Sequence, residues 1–311
     1  MNARSAPAAA KPRICVCICT YKRPRLIAEL LRTLDGQETE GLFDFALVVV
    51  DNDRSESGRT VVEAEAGRLK TPVLYIVEPE QNIALARNKA VANAHGDFLA
   101  FIDDDELPGP RWLLNMFKAL TLFETAGVLG PVVPRYEVSP PRWVLAGRFF
   151  ERPRYFSGYY LFWESTRTGN CLLRRSIFDD KGDWFLPKFG SGGEDRDFFK
   201  RMIARGHVFV WCDEAPVYES VPQERMRKAI HLKRALLRGK LTYRSQINRP
   251  VRVIGSCIAI LYYSLGLPFL LMMAPLFGFD IFMKNLIRDC DHLGKVLAVC
   301  RIDLVRDRYI T

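Results

Sequence analysis

Four short apolar runs, each followed by a segment with helical periodicity, are the feature that most limits the possible folds of this chain. The pairs are RICVCIC (13–19) with PRLIAELLRTL (24–34), FALVVV (45–50) with residues 57–69, VLYIV (73–77) with IALARNKAVANA (83–94), and FLAFI (98–102) with RWLLNMFKAL (111–120). Strands that are apolar at nearly every position are typical of a parallel sheet covered by helices. The pattern predicts an α/β fold with a mostly parallel sheet and helices on both faces.

Polar residues follow each of the four apolar runs, where the strands are expected to end. In a parallel sheet covered by helices, ligands bind beyond the carboxyl ends of the strands. We therefore expect the polar residues to line one crevice, which would contain residues 20–23, 51–53, 81–82 and 103–105.

The run FLAFIDDDELP (98–108) places four consecutive acids directly after an apolar strand. Neighbouring carboxylates repel one another, so the cluster is either a solvated turn or a site for a cation. Asp103 and Asp105 are two positions apart, and in an extended chain they lie on the same side, with Asp104 turned away. This spacing is compatible with a divalent cation held by two carboxylates and by substrate phosphates.

Two common classes of nucleotide-binding enzyme are not indicated by the sequence. The segment VCICTYKRP after the first strand contains no Gly-x-Gly-x-x-Gly, and the chain contains no Gly-x-x-x-x-Gly-Lys-Ser/Thr. These absences disfavour a dinucleotide-dependent dehydrogenase and a P-loop enzyme. The predicted crevice contains carboxylates, amides and one cation, Arg87, on the helix after Asn82.

Five motifs occur in order along residues 12–240, namely CTYKRP, VVVDND, QNIALARNKA, FIDDDE and GSGGEDRDFFKR. In this order and at this spacing they resemble the inverting family 2 glycosyltransferases of GT-A fold. The resemblance implies a nucleotide-diphosphate sugar as the donor and Mn²⁺ or Mg²⁺ as the cofactor. The Gln-x-x-Arg-Trp motif of processive polysaccharide synthases is absent, because both Arg-Trp pairs (111–112 and 142–143) lack the glutamine. An enzyme that adds a single sugar is therefore favoured.

The resemblance also implies roles for individual residues. Residues at the strand ends and on the third helix would bind the nucleotide sugar: Thr20, Tyr21, Arg23, Asp51, Asn52, Asn82, Arg87, Asp103 and Asp104. Asp103 and Asp105 would bind the metal ion. Glu194 and Asp195 would supply the catalytic base, with Asp195 the better match, although acids at a helix N-terminus also serve as caps. The late histidine that is often a further metal ligand in the family is missing from the stretch APVYESVP, where Glu219 is a candidate substitute.

The chemistry of sugar transfer agrees with these roles. A bound metal neutralises the charge on a departing nucleoside diphosphate, and a carboxylate takes the proton of the acceptor hydroxyl. Two alternatives stay open, a non-catalytic module that binds nucleotide sugar or carbohydrate and a nucleotidyltransferase. Binding alone needs no base at position 195, and a nucleotidyltransferase would have a glycine-rich phosphate loop after the first strand.

The basic charge of the chain is concentrated before a long apolar run. The net charge is +9, and residues 224–252 hold ten Lys or Arg and one acid, while residues 253–279 carry no charge. This arrangement favours an anionic membrane surface over nucleic acid, for which no binding signature is present. We expect Pro268 and Pro275 to break the run into a hairpin in the cytoplasmic leaflet. A single span and a buried helical pair or dimer contact are the alternatives.

The resulting prediction has four parts: a disordered tail (1–12), a GT-A catalytic domain (13–222), a basic amphipathic helical segment (223–252) and an apolar membrane-associated hairpin with a C-terminal helix (253–311). It places the enzyme on the cytoplasmic face of the cell membrane, where the acceptor is expected to be a saccharide linked to a lipid. The alternating Cys15, Cys17 and Cys19 lack zinc-site spacing and are expected to be buried thiols in a reducing compartment.

Overall fold

The computed structural model describes residues 11–178, 184–190, 192–244, 249–302 and 304–305 of the 311 in the chain. Most of the predicted N-terminal tail, residues 1–10, lies outside the described residues. The chain forms two compact units, of which the first is Met1–Val133 with Arg152–Glu219 and the second is Pro134–Glu151 with Ser220–Thr311. Residues 134–151 therefore belong with the C-terminal unit, whereas the sequence assigned them to the catalytic domain.

The first unit contains a seven-stranded sheet whose strands are β1 Arg13–Thr20, β2 Asp44–Asp51, β3 Val73–Val77, β4 Phe98–Ile102, β6 Gly127–Leu129, β8 Asn170–Arg174 and β9 Phe209–Trp211. Their order is β3-β2-β1-β4-β8-β6-β9. Strands β1 to β4 are mutually parallel, and β8 runs antiparallel to both of its neighbours, β4 and β6. The predicted mostly parallel sheet is confirmed.

Helices cover both faces of this sheet, as the apolar strands predict. They are α1 Pro24–Asp35, α2 Arg59–Ala66, α3 Ile83–Asn93, α4 Trp112–Leu122 and α6 Glu194–Ala204. Helices α1, α2 and α4 contribute buried side chains to one hydrophobic cluster, and α3 and α6 contribute to a second. Alternate residues of the central strands point into the two clusters, because successive side chains of a strand face opposite ways.

The strand order reverses beside β1, since β2 and β3 lie on one side of it and β4 on the other. Such a switch point opens a crevice at the carboxyl ends of the strands. Thr20 is in register with Asp51, and Asp51 with Val77, so these strand ends lie at one edge. Two short strands, β5 Glu106–Pro108 and β10 Val217–Val221, continue from this edge, and Glu106 is in antiparallel register with Glu219.

The described residues of the second unit are mostly helical. The unit also contains the last residues of two strands, β7 Val132–Tyr136 and β10. Its helices are α5 Arg142–Gly147, α7 Lys228–Arg244, α8 Arg249–Met272, α9 Ala274–Phe277 and α10 Phe279–Val299. Within it, Val144, Val221 and Met226 form a small core. The helix predicted for the basic segment is present as α7.

The prediction that Pro268 breaks the apolar run is wrong, because α8 continues through it to Met272. A proline removes one backbone hydrogen bond, and contacts along α10, such as Ser264 with Asp289 at 3.1 Å, support the helix. The chain changes direction further on, at Gly278, whose φ of 99° is readily adopted by glycine. The hairpin is formed by α8 with α10, and not within residues 253–279.

The cysteines form no disulfide framework, and those of the seven-stranded sheet behave as buried apolar residues. All eight are free thiols. Cys15, Cys17 and Cys171 lie in the second hydrophobic cluster, and burial raises the pKa of Cys19 to about 12. A thiol with so high a pKa is protonated and unreactive at neutral pH.

Candidate active site

The acids that follow β4 form a turn. The Glu106 N–H donates to the Asp103 carbonyl at 3.1 Å, and the Asp103 N–H donates to Glu106 Oε2 at 3.2 Å. The segment is therefore a turn and not the extended chain that the sequence predicts. Local hydrogen bonds across the turn replace the alternation of a strand.

Asp104 is the most enclosed of the three aspartates and connects the turn to the end of β1. The Thr20 hydroxyl donates to its Oδ2 at 2.8 Å, and Arg23 Nη1 donates to its Oδ1 at 2.8 Å. Burial raises the pKa of Asp104, while Arg23 and Thr20 act in the opposite direction. Because each of its oxygens accepts a hydrogen bond, Asp104 holds these two strand ends together.

Asp103 and Asp105 are more accessible, with 48% and 15% of their side chains exposed. Burial, followed by repulsion from Asp103 and Asp104, raises the pKa of Asp105 to about 6, although Arg23 lies 3.3 Å away and opposes the shift. Carboxylates crowded in this way are stabilised by a nearby cation. The two side chains are the candidate metal ligands in this turn.

The opposite wall of the turn is formed by Gly169. A Cβ atom at this position would lie 2.8 Å from Glu106 Oε1 and 3.1 Å from Asp103 Oδ2, so only glycine leaves this space open. No group of three or more His, Cys, Asp or Glu side chains in the described part of the chain is arranged to hold a metal ion. The residues present fit a site with two carboxylates, in which substrate phosphates and water would supply the other ligands.

Arg87 connects the acidic turn to helix α6. This buried arginine donates from Nη2 to Asp103 Oδ1 at 3.3 Å and from Nη1 to Glu194 Oε1. Glu194 is itself buried, and its Oε2 has no hydrogen-bond partner among the described residues. Of the predicted catalytic pair, Glu194 is thus enclosed and ion-paired.

Asp195 lies in the first turn of α6, as predicted, and is half-buried. The helix follows Gly192 and Gly193, which have φ values of 127° and 94° that favour glycine. The Arg196 N–H donates to its Oδ1 at 2.7 Å. Asp195 also attracts Arg167 electrostatically. It is the accessible carboxylate of the predicted pair.

The predicted nucleotide-binding residues at the ends of β2 and β3 have extensive internal hydrogen bonds. Asp51 accepts from the Gly58 N–H at 2.7 Å and from the Tyr75 hydroxyl at 2.8 Å. The Asn52 side chain accepts from the Asn82 N–H at 2.9 Å, and the Asn82 side chain caps α3 by accepting from Ala84 and Leu85. Asp51, Asn52 and Asn82 thus shape the wall of the crevice. Tyr21, which is half-buried, follows the end of β1, and the Lys22 ammonium lies 5.2 Å from its ring centroid.

The loop before α6 is attached to this same wall. Asn82 donates from Nδ2 to the Pro187 carbonyl at 3.0 Å, and the Ile83 N–H donates to the Gly190 carbonyl at 3.2 Å. A Cβ at Gly190 would lie 2.3 Å from the Asn82 side chain. The segment that leads to Asp195 therefore packs closely on the residues after β3.

Comparison with known sequences identifies the family. The sequence profile of glycosyl transferase family 2 matches residues 15–182, more than half of the chain. The chain belongs to glycosyl transferase family 2. Succinoglycan biosynthesis protein ExoM of Rhizobium meliloti is 38% identical to this glycosyltransferase over 228 residues, which cover 72% of each chain. Glucosyl-dolichyl phosphate glucuronosyltransferase of Haloferax volcanii is 25% identical over 249 residues, which cover 76% of this chain and 72% of the relative.

Solved structures show that this family 2 glycosyltransferase has the GT-A fold. A mannosyltransferase of Pyrobaculum calidifontis, solved with GDP-Man and Mn²⁺, matches 94% of this chain and 87% of its own with a TM-score of 0.61 and 17% identity. S. aureus TarS 1-349, solved with UDP-GlcNAc, matches 95% of both chains with a TM-score of 0.52 and 15% identity. The predicted fold class is confirmed.

Three residues near the site of this family 2 glycosyltransferase were not singled out from the sequence. Asp53 is buried after β2, and its Oδ2 has no partner among the described residues. The sequence predicts that all three residues of the DND motif lie in the crevice, but the resemblance implies a donor-binding role only for Asp51 and Asn52. Arg152 donates to Glu219 Oε2 at 2.6 Å, and Arg167 lies near Asp195. No local pattern distinguishes these two arginines from surface residues.

Proposed function

We propose that this family 2 glycosyltransferase is an inverting, metal-dependent enzyme that transfers one sugar from a nucleotide-diphosphate sugar to a lipid-linked saccharide. The observation that carries the proposal is the bridge formed by Arg87. By binding both Asp103 and Glu194, it keeps the candidate metal ligands beside the helix turn that bears Asp195.

The donor would bind in the crevice at the strand ends. Asp53 has a buried acceptor atom available for a nucleobase or ribose, and Tyr21 and Arg23 lie at the end of β1. Asp103 and Asp105 would hold Mn²⁺ or Mg²⁺, which would neutralise the charge that develops on the leaving diphosphate. The solved relatives with UDP-GlcNAc and with GDP-Man and Mn²⁺ support this class of donor and metal.

The chain's own residues would then carry the proton and hold the geometry. The acceptor hydroxyl oxygen attacks the anomeric carbon from the face opposite the diphosphate, and Asp195 takes the hydroxyl proton. The bond from the anomeric carbon to the diphosphate oxygen breaks, and its electron pair leaves with the diphosphate, so configuration is inverted. Arg87 and Glu194 position the start of α6 and do not exchange protons in this scheme.

The names of two relatives support a polysaccharide or lipid-linked acceptor. One relative belongs to succinoglycan biosynthesis, and another is named for a glucosyl-dolichyl phosphate substrate. An enzyme held at a membrane surface meets a lipid-linked acceptor at a higher local concentration. The proposed acceptor is therefore a lipid-linked saccharide.

Membrane attachment would use the exposed side of α8. Val253–Met272 is the one helix among the described residues that is long and apolar enough to cross a membrane, with a mean hydropathy of 1.9. Its polar side chains face α10, because His292 Nδ1 lies 3.2 Å from Ser256 Oγ and Ser264 donates to Asp289. The opposite side, here called the α8 face, is exposed and apolar: Ile254, Ile258, Leu261, Tyr262, Leu265 and Phe269.

Because α8 has a polar side against α10 and an exposed apolar side, attachment in the plane of the membrane surface is favoured. Helix α10, which packs along α8, carries Lys284, Arg288, Asp289, Asp291 and Lys295, and charged side chains are costly inside a bilayer. Basic residues of the 224–252 segment would add attraction to anionic lipids. The proposed location is the cytoplasmic face of the cell membrane.

A donor screen tests the proposed function directly. The full-length protein is mixed with a panel of nucleotide-diphosphate sugars, with and without Mn²⁺, and thermal stability and donor hydrolysis are measured. We expect one donor to raise the melting temperature only when Mn²⁺ is present, and to be hydrolysed slowly without an acceptor. Stabilisation by a donor without any hydrolysis or transfer would support the non-catalytic alternative, and release of pyrophosphate from a nucleoside triphosphate would support a nucleotidyltransferase.

A further inference from the structure

A cavity that is open to solvent lies beside the candidate active site, within the first unit, and its empty space of about 430 Å³ includes part of that solvent. One wall is formed by the ends of β6 and β9, including Leu129 and Trp211, and the other by the segment that contains Arg152, Tyr155 and Arg167. The same segment exposes large aromatic side chains outside the cavity: Phe156, Tyr160 and Phe162. Large exposed apolar patches mark interaction sites on many proteins.

The two arginines of the cavity differ in their partners. Arg152 is paired with Glu219 at 2.6 Å and lies 3.9 Å from Glu106. Arg167 has no carboxylate within 4.0 Å among the described residues, although the exposed Glu164 lines the same cavity. Burial lowers the pKa of the Arg167 guanidinium, and repulsion from Arg152 adds to this effect. A half-buried cation without a paired carboxylate is costly unless an anion binds it.

The position of Arg167 indicates which substrate would supply that anion. Asp195 and Glu106 attract Arg167, whereas Arg152 and Arg196 repel it, so the guanidinium lies in the electrostatic environment of the proposed base. The cavity also reaches the acidic turn, because its Arg152 lies 3.9 Å from Glu106, whose Oε2 accepts from the Asp103 N–H. A group bound there would therefore lie near the acceptor hydroxyl. The donor diphosphate, in contrast, has its own proposed partner in the metal ion that Asp103 and Asp105 would hold.

We propose that the cavity is an acceptor subsite in which Arg167 binds an oxyanion of the acceptor saccharide, either a carboxylate or a phosphate. This inference rests on the proposed glycosyltransferase function and adds the chemical class of the acceptor. The guanidinium presents donors in a fixed fork that matches both kinds of oxyanion. Tyr155, which packs edge-to-face on the largely buried Trp211, supplies apolar surface for the sugar ring beside it.

The test compares three saccharides on the full-length protein, with Mn²⁺ and a saturating nucleoside diphosphate occupying the donor site. Methyl β-D-glucuronide carries a carboxylate, glucose 1-phosphate carries a phosphate, and methyl β-D-glucoside is the neutral control. We expect at least one acidic saccharide to bind about tenfold more tightly than the glucoside in calorimetry, a difference typical of one charge-assisted hydrogen bond. The stronger of the two acidic probes identifies the oxyanion.

Variants assign the preference to Arg167. Arg167→Met is expected to remove the roughly tenfold preference and Arg167→Lys to keep part of it, while nucleoside diphosphate affinity stays unchanged. Arg154→Met is the matched control, because Arg154 is an exposed arginine of the same segment, paired with Asp213. Equal binding of all three saccharides by the wild type would overturn the inference, as would a parallel loss of nucleotide affinity in Arg167→Met.

Nucleotide binding distinguishes failure of the proposed function from failure of the acceptor inference. A wild-type protein that binds no nucleoside diphosphate and no nucleotide sugar contradicts the glycosyltransferase mechanism proposed here. The saccharide comparison repeated without nucleotide still decides whether Arg167 selects an oxyanion, because it reads binding to the cavity alone.

Discussion

Arg87 donates from Nη2 to Asp103 Oδ1 over 3.3 Å, and this contact joins the acidic turn to the helix that follows β3. The same guanidinium donates to Glu194, 107 positions further along the chain. Two motifs that are remote in sequence are thereby held by one side chain. The geometry of the candidate active site depends on this single buried cation.

Replacing Arg87 is expected to destabilise the first unit as well as inactivate the enzyme. Arg87→Met leaves the buried Glu194 without its cation, and loss of one partner of a buried pair costs about 3–5 kcal/mol. Urea denaturation measures the change in the free energy of unfolding. The double variant Arg87→Met/Glu194→Met should recover much of the loss, because no unpaired charge remains. Arg59→Met, which removes an exposed arginine, serves as the control, and an equal effect in that variant would contradict the role of Arg87.

Asp105 is predicted to be needed for metal-dependent donor binding. In Asp105→Asn we expect Mn²⁺ to lose its effect on donor affinity and turnover to fall by roughly 10²-fold or more, since a metal at the leaving group contributes several kcal/mol. Donor binding is measured by calorimetry with and without Mn²⁺. Asp44→Asn, at the exposed opposite end of β2, is the control. Full wild-type transfer in the presence of EDTA would show that no such metal is required.

Asp195 is predicted to act on turnover and not on donor binding. In Asp195→Asn the amide cannot take the acceptor proton, so kcat should fall by about 10²–10⁴-fold while the donor Kd stays unchanged. Asp197→Asn is a matched control from the same helix, since Asp197 pairs with Arg201 at 2.8 Å. If donor affinity declined together with turnover in Asp195→Asn, the residue would belong to the donor site.

The second unit is predicted to lose stability in mild acid through His231. Burial, followed by repulsion from Arg234 and Arg225, lowers the pKa of His231 to about 4. The ring packs against Trp143, Phe149 and Phe150. Because the pKa is lowered on folding, the neutral ring contributes its full stability above pH 6.5, and this contribution is lost as the pH falls towards 4.

His231→Phe should therefore lose less stability than the wild type between pH 7 and pH 4.5. The expected difference between the two proteins reaches up to about 3 kcal/mol, from the size of the pKa shift. Thermal melts followed by circular dichroism across this range measure it. A constant difference between the two melting temperatures at all pH values would exclude His231 as the titrating group.

The α8 face is predicted to bind anionic membranes. Leu265→Ser should reduce binding of the full-length protein to vesicles that contain phosphatidylglycerol by about tenfold, because one large apolar side chain no longer enters the bilayer. Leu122→Ser is the matched control, since Leu122 in the first unit is 75% exposed and Leu265 is 73% exposed. Salt should weaken the binding without abolishing it. A full-length protein that is soluble without detergent and does not bind these vesicles would show that α8 is covered by another part of the protein or by a second copy.

Much of the fold follows from local patterns in the sequence. The four β–α pairs, the helix that begins at Glu194 and the basic helix before the apolar run are confirmed in type and position. Burial of one side of an element makes apolar residues recur along its own sequence, with a period of 2 in strands and 3.6 in helices. This pattern is local, so it predicts the element without knowledge of what the element packs against.

The partners of individual site residues were decided by the tertiary structure. Asp104 connects two strand ends and Glu194 pairs with Arg87, which no local pattern indicates, and Pro268 lies inside a continuous helix, against the expectation from the sequence. No local sequence pattern distinguishes Arg167 from a surface arginine. Each of these outcomes depends on partners that are distant along the chain, and the free energy of a buried charge or a missing hydrogen bond is set by those partners. The sequence by itself therefore determined the elements, the sheet and the set of chemical groups, whereas only the folded chain decided which groups are paired and which stay open to a substrate.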